Sequence, residues 1–286
     1  MSVDMPVRQP DSGTETREVV TRERLAADLR ALGVRPGQTL LAHASLSQIG
    51  RGPSGHTPGW VEAGASTVVA ALIDVLGPEG TLVTGAGTPE NSLTSRSFRE
   101  QTKGLQSWRV SGYLERMLAF DPQVTPTSAG AVAEAVRTAP NAERSAHPQS
   151  SFAAIGRDAR ELMAGHRVTC HLGEQSPLAK LYERNASVLL IGAGYRSCTA
   201  FHLAEYRYSA NPPMREYSCL VREEGISRWM KYKDVVLDDG EFEIIGKSLE
   251  DKITVPIGPV GNAPSRLLPL RCVVDFAVDW LVAHRR

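Results

Sequence analysis

The chain has 286 residues, 42% hydrophobic and 22% charged, the proportions of an ordinary globular protein. Its 32 basic and 32 acidic residues cancel, so it lacks the basic excess with which nucleic-acid binders neutralise phosphates. Four widely spaced cysteines, Cys170, Cys198, Cys219 and Cys272, form no CxxC pair, which argues against a structural zinc site or a disulfide scaffold and for a reduced, cytoplasmic chain.

Residues 1–19 are polar, carry acids, Pro and Gly, and lack an apolar h-region. They are expected to form a flexible tail, not a signal peptide. No stretch approaches the ~20 apolar residues that span a bilayer. Thr21 opens a helix with Leu25, Leu29 and Leu32 on one face and Gly33 at its C′ position. A Pro36-Gly37 turn leads into a short buried strand at 39–43, and after a Gly/Pro/Ser-rich loop at 50–64 the pattern at 67–76 predicts a second amphipathic helix. Residues 78–80 turn the chain into a strand at 81–84.

The alternation continues. Residues 151–155 precede a helix at 157–164, and Ser176-Pro177 supplies the N-cap and N1 residues of the next helix, which runs to Arg184. Residues 187–191 are the clearest buried strand, with a helix at 199–208 behind it. Residues 215–222 and 227–233 flank Glu223-Glu224-Gly225 as a hairpin, and 272–283 form a last helix with Val273, Phe276, Ala277 and Trp280 on one stripe. With no internal repeat, residues 20–286 read as one α/β domain with a central mixed sheet flanked by helices.

Three segments join reactive side chains to strand ends, where α/β folds place ligands. In the first, His43, Ser45, Leu46, Ser47 and Ile49 follow a buried strand, and the hydroxyls suit a phosphate or a thioester carbonyl. The bland reading is a turn that satisfies its own backbone. In the second, Arg144, His147, Ser150, Ser151 and Phe152 precede another strand, and the Arg fork could hold a nucleotide phosphate or sit on an idle surface turn. The third runs from Cys170-His171 to His202 and Glu205. An amine attacking a thioester must shed a proton, and an imidazole is the side chain best poised to take it. A carboxylate such as Glu205 could orient that ring, and at i and i+3 one helical face offers both His202 and Glu205. Nothing flanking Cys170 argues for an activated thiol, and no third ligand accompanies His202 and Glu205 to make a metal site.

In order, HASLSQIG (43–50), LGPEGTLV (76–83), RSAHPQSSFAAIG (144–156), HLGEQSPLAKLY (171–182) and VLLIGAGYRSCTAFHLAEYR (188–207) resemble the aminoglycoside 3-N-acetyltransferase family over nearly the whole chain. The resemblance implies an antibiotic-N-acetyltransferase fold unlike GNAT, acetyl-CoA as cosubstrate, no metal, and direct transfer in a ternary complex. It implies His171 as general base with Glu205 at the conserved acidic position. Ser45 and Ser47 would lie in the pantetheine region and 144–152 near the CoA nucleotide. The acceptor stays open. Residues 85–110 fall where the substrate-side loop begins, and they hold Arg96, Arg99, Lys103 and Arg109 against Glu90 and Glu100, a balance suited to an anionic amine. Residues 234–251 carry seven acids and one Lys, a balance suited to a polycation such as an aminoglycoside. Glu90, Arg96, Arg99 and His202 are the candidate acceptor contacts. The expected partners are therefore a small amine and acetyl-CoA, with neither nucleic acid nor membrane, and a homodimer is a possible assembly. The competing readings are a thioesterase or other hydrolase using Ser45 or Cys170, which lacks a G-x-S-x-G elbow, and a non-catalytic CoA-binding protein.

Overall fold

The computed structural model describes residues 19–51 and 60–285. The expected tail falls on residues outside these, apart from Val19, which already pairs with Trp60. In chain order the elements are β1 (Val19–Val20), α1 (Arg22–Leu32), β2 (Thr39–Ala44), α2 (Leu46–Ile49), β3 (Trp60–Val61), α3 (Ala65–Leu76) and β4 (Thr81–Gly85). Next come α4 (Arg96–Thr102), α5 (Ser107–Glu115), α6 (Ala131–Arg137), β5 (Glu143–Arg144), β6 (Phe152–Gly156), α7 (Ala159–Met163), α8 (Pro177–Glu183) and β7 (Ser187–Ile191). The chain finishes with α9 (Phe201–Arg207), β8 (Met214–Glu223), β9 (Ile226–Val235), α10 (Phe242–Glu250), β10 (Ile257–Val260), β11 (Ala263–Pro269) and α11 (Leu270–His284).

Seven strands form one sheet in the order β10-β11-β7-β2-β4-β6-β5. β2 runs parallel to both β4 and β7, and the outer pairings are antiparallel, so the sheet is mixed as expected. Leu40 and Ala42 pack with α1 and α3 on one face, while Leu41, Val188 and Leu190 join α7 to α11 on the other. Burial on both faces explains why these strands read as apolar runs and not as alternations. The caps also hold: Thr21 accepts from Arg24 N–H, Ser176 accepts from Leu178 N–H with Pro177 at N1, and Gly33 closes α1 at φ 108°.

The hairpin is longer than its apolar pattern. It closes on a two-residue turn, Glu224 at φ 49° and Gly225 at φ 80°, both left-handed as a type I′ turn requires. β8 and β9 lie outside the main sheet and build a small core of their own from Tyr217, Cys219, Val221 and Tyr232. No helix among the described residues is long and apolar enough to cross a membrane.

α10 shows how tightly the second face is closed. Gly246 lies flat against Tyr195, where an added Cβ would stand 1.9 Å from the ring. Gly246→Ala should therefore cost about 1–3 kcal/mol of folding stability in urea unfolding, the usual range for overpacking, and an unchanged midpoint would contradict the packing described.

Candidate active site

The loop between α7 and α8 carries His171 into the interior, where only 3% of the residue is exposed. Every polar backbone group of this residue is engaged. Its N–H donates to Asp234 Oδ2 at 2.6 Å, and its carbonyl accepts from Ser150 Oγ at 3.0 Å and from His166 Nε2 at 2.9 Å. The ring Nδ1–H donates to the same Asp234 Oδ2 at 2.6 Å, which fixes the tautomer and leaves Nε2 as the acceptor. Nε2 lies 3.1 Å from the Tyr232 hydroxyl and 3.3 Å from Gln149 Oε1, to which Tyr232 donates.

Asp234 is held from several sides. Oδ2 also accepts from the Tyr206 hydroxyl at 2.8 Å, and Oδ1 accepts from Val235 N–H at 2.8 Å. Burial works against its charge, but the hydrogen bonds from His171 and Tyr206 outweigh it and keep the carboxyl below its ordinary value. His171 moves the same way for a different reason: burial lowers it, only partly opposed by Asp234. The pair at neutral pH is a neutral imidazole on a carboxylate, the arrangement of a general base.

Behind His171 its ring packs at a tilt of 46° on His147, 4.5 Å between centroids, and His147 packs at 32° on His166 at 4.8 Å. Tyr217 lies 4.3 Å from the His171 ring on the hairpin side. His147 Nδ1 accepts from the N–H groups of Gln149 and Ser150, so its Nε2–H donates to the Val168 carbonyl. His166 accepts from Ser145 and donates to the carbonyls of Cys170 and His171. Burial drives His147 well below its ordinary value and holds His166 at about 4. These two rings are neutral struts for the loop that presents His171.

Several expectations are corrected here. The carboxylate on His171 is Asp234, not Glu205. Glu205 is fully buried elsewhere on α9, where Oε2 takes His202 Nδ1–H at 2.6 Å and Oε1 takes Arg285 at 2.6 Å and Asp238 N–H at 2.9 Å. His202 and Glu205 thus share one helical face, while the next residue of α9, Tyr206, reaches Asp234 instead. Asp234 sits 63 positions from His171, and its sequence signal was membership of the acidic 234–251 stretch.

The polar side chains of the 144–152 segment are engaged with the protein itself. Arg144 spends its guanidinium on the carbonyls of Ala86 at 2.7 Å and Thr125 and on Ser151 Oγ at 3.1 Å, over the Phe120 ring. Burial then lowers it to about 10. Ser151 donates to the Ala86 carbonyl, Ser150 supports His171, and His147 and Phe152 are buried. Of the first segment, Ile49 is buried in the core and Leu46 packs against it, and Ser47 stays exposed within 3.1 Å of Ser45 Oγ.

His43 and Ser45 do face a cavity. A cleft of about 520 Å³ opens beyond the carboxyl ends of β2, β4 and β7, and Thr84, Gly192, Ser197 and Thr199 join them in its walls. A ligand crevice is expected at such strand ends. A second cavity of about 410 Å³ is lined by Thr88, Glu90, Asn91, Tyr113, Arg116 and their neighbours. Two chain segments, 84–91 and 125–133, contribute residues to both cavities, though no single residue lines both. The 84–91 segment also reaches the turn beside His171: Thr88 N–H donates to the Gln149 carbonyl, Asn91 Nδ2 donates to the Pro148 carbonyl, and Gln149 Oε1 lies 3.3 Å from His171 Nε2. Glu90, a candidate acceptor contact, lines the second cavity. Arg99 is exposed on α4 away from that lining, Arg109 stacks on Trp108, and the Arg96 side chain lies outside what the structure describes.

Comparison with known proteins agrees with this geometry. The family model described as Aminoglycoside 3-N-acetyltransferase matches residues 41–282. The SPbeta prophage-derived aminoglycoside N(3′)-acetyltransferase-like protein YokD of Bacillus subtilis is 36% identical over 264 residues, 92% of each chain. The crystal structure of YokD superposes with a TM-score of 0.82 at 35% identity, covering 93% of this chain and 95% of that one. AAC-VIa bound to sisomicin gives 0.78 at 32% identity over 93% and 98% of the two chains. AAC-IIIb in a binary complex with CoASH gives 0.76 at 29% identity over 92% and 97%.

The buried neutral histidines make stability pH-dependent. His43 and His166 are held at about 4 and His147 well below its ordinary value, against an unfolded value near 6.5. Between those values the unfolded chain binds more protons than the folded one, so stability is complete above about 6.5 and falls as pH drops toward 4. Thermal melting from pH 7.5 to 4.5 should show a steadily falling midpoint. A flat profile across that window would contradict the neutral stack.

Proposed function

Because this chain belongs to the aminoglycoside 3-N-acetyltransferase family, we propose that it moves the acetyl group of acetyl-CoA directly onto a primary amine, an aminoglycoside 3-amino group or a related amine, within a ternary complex. The observation that carries the reading is the buried His171–Asp234 pair, with Nε2 left as the acceptor. The attacking amine becomes positively charged as it bonds to the carbonyl carbon, and His171 Nε2 takes the proton it sheds. Asp234 steadies the resulting imidazolium without itself becoming protonated.

Two cavities lined by neighbouring stretches of the 84–91 and 125–133 segments suit two substrates. The strand-end cleft offers the hydroxyls of Ser45, Ser197 and Thr199 to a pantetheine chain, and the relative AAC-IIIb binds CoASH. The second cavity, beside Gln149, is the acceptor side, and the relative AAC-VIa binds sisomicin. Burial pushes the Cys170 thiol up, away from the thiolate that an acyl-cysteine route needs, which favours direct transfer. A second reading, the same chemistry on an amine that also bears a phosphate or carboxylate, is favoured by Arg116, which faces the acceptor cavity along with Glu90.

The test follows free CoA thiol while the protein is incubated with acetyl-CoA and a panel of amines, comparing gentamicin-type compounds with a phosphorylated aminoalkyl compound. Thiol release that requires an amine is expected. Release without amine would mean a thioesterase, and none with any amine would leave a binding protein. His171→Ala should lower kcat by about 10³-fold or more, and Asp234→Asn by about 10²–10⁴-fold through the wrong tautomer. Full activity in either variant would overturn the base assignment.

A further inference from the structure

Two charge-rich stretches of the sequence pull toward opposite acceptors, and the structure shows where their charges go. Five of the seven carboxylates of 234–251 are tied up inside the protein. Asp234 holds His171, Asp239 pairs with Arg196, Glu241 with Arg285, Glu243 with Lys247 and Glu250 with Arg266. No residue of that stretch lines the cavity of about 410 Å³ on the acceptor side, and neither do Arg99, Lys103 or Arg109. Among the described residues Glu90 is the one acid of its wall and Arg116 the one cation, so the charges cancel. Residues 52–59, outside the described part, contain no Asp or Glu.

Much of the remaining wall is apolar. Tyr113 comes from α5, where its ring packs edge-on against Phe98 at 5.5 Å between centroids, and Met117, Leu118 and Pro126 join it. Leu118 is 71% exposed, more than any other large hydrophobic side chain described. An apolar group left in water on the wall of a ligand-sized cavity is stabilised when an apolar ligand body covers it. An extra ammonium group set against the same wall loses its hydration with no carboxylate to replace it. The cavity adjoins the base: its wall residue Asn91 donates through Nδ2 to the Pro148 carbonyl, and the next residue, Gln149, holds Oε1 3.3 Å from His171 Nε2.

We propose that the acceptor is a monoamine carried on an apolar, aromatic body, an assignment that rests on the acetyl-transfer reading above. Tyr113 and Leu118 are its specificity-determining contacts, and Arg116 disfavours polycations. The amine nitrogen bonds to the acetyl carbonyl carbon and the C–S bond breaks. The proton lost by nitrogen passes through His171 to the departing CoA thiolate.

The experiment follows thiol release from acetyl-CoA by the full chain at one pH and ionic strength, with three acceptors: 2-phenylethylamine, a gentamicin-type aminoglycoside and a phosphorylated aminoalkyl compound. The kcat/KM for 2-phenylethylamine should exceed that for either of the others by about tenfold or more. Leu118→Asp should raise its KM by about tenfold, because Leu118 supplies binding and not chemistry. Arg116→Glu should raise kcat/KM for the aminoglycoside by about tenfold, because two carboxylates then face the polycation. Both side chains are exposed, so unchanged melting temperatures are expected of both variants. A wild-type preference for either charged acceptor, or a Leu118→Asp enzyme with an unaltered KM for 2-phenylethylamine, would overturn the proposal. An aminoglycoside rate unmoved by Arg116→Glu would overturn the part given to Arg116. If no amine is acetylated, the acetyl-transfer reading falls, and calorimetric titration of 2-phenylethylamine into the chain decides the cavity. Binding that Leu118→Asp weakens by about tenfold upholds an apolar amine there, and no binding overturns it.

Discussion

One buried carboxylate organises the site. Asp234 gathers the backbone N–H and ring Nδ1–H of His171, the Tyr206 hydroxyl and the Val235 N–H, so groups from the 164–176 loop, α9 and the hairpin converge on two oxygen atoms. A charge taken out of water is costly unless its hydrogen-bonding capacity is filled. Filling it here demands that three chain segments arrive in one geometry, and that geometry is what aims Nε2 of His171. Close packing around it leaves little slack. Gly173 lies against Tyr206, where an added Cβ would stand 2.3 Å from the ring, so the hydroxyl that supports Asp234 depends on a position with no side chain.

The second histidine–carboxylate pair, His202 with Glu205, is built differently. Its carboxylate is fully buried and shared with Arg285, whereas Asp234 shares its oxygens with neutral donors. In the second pair it is the carboxylate that sits between an imidazole and a guanidinium, whereas burial favours the neutral form of His171.

Much of this was legible in the sequence. β2, β4 and β7 are apolar runs bounded by Gly and Pro turns because the sheet buries both of their faces, and Thr21 and Ser176 announce their helices by cap chemistry. Four of the five motifs that carried the family resemblance fall around the site: the cleft wall at 43–50, the floor at 144–156, the base at 171 and the α9 pair at 202–205. Other features were not legible. β10 and β11 hold Pro259, Pro264 and Pro269 and carried no strand expectation, yet they pair because prolines 259 and 264 face each other where no ladder hydrogen bond is needed. α10 carries Gly246 mid-helix and was counted only as an acidic stretch. The Asp234–His171 contact spans 63 residues and has no local spacing to betray it. Arg144 looked like an anion site because a lone Arg before a strand offers five donors. Only the fold reveals that carbonyl oxygens from residues 86 and 125 already take them.

The hairpin has a consequence for how the molecule breathes. Residues 214–235 supply Asp234, Tyr232 and Tyr217 to the base, yet they pair chiefly with each other and have their own small apolar cluster outside the main sheet. Units of this kind open sub-globally at a lower free energy than the sheet they rest on. A brief lifting of this one ribbon would strip His171 of its carboxylate and admit water to the histidine stack while the seven strands stayed intact. Slow amide exchange in β2 and β7 would report nothing about such an opening.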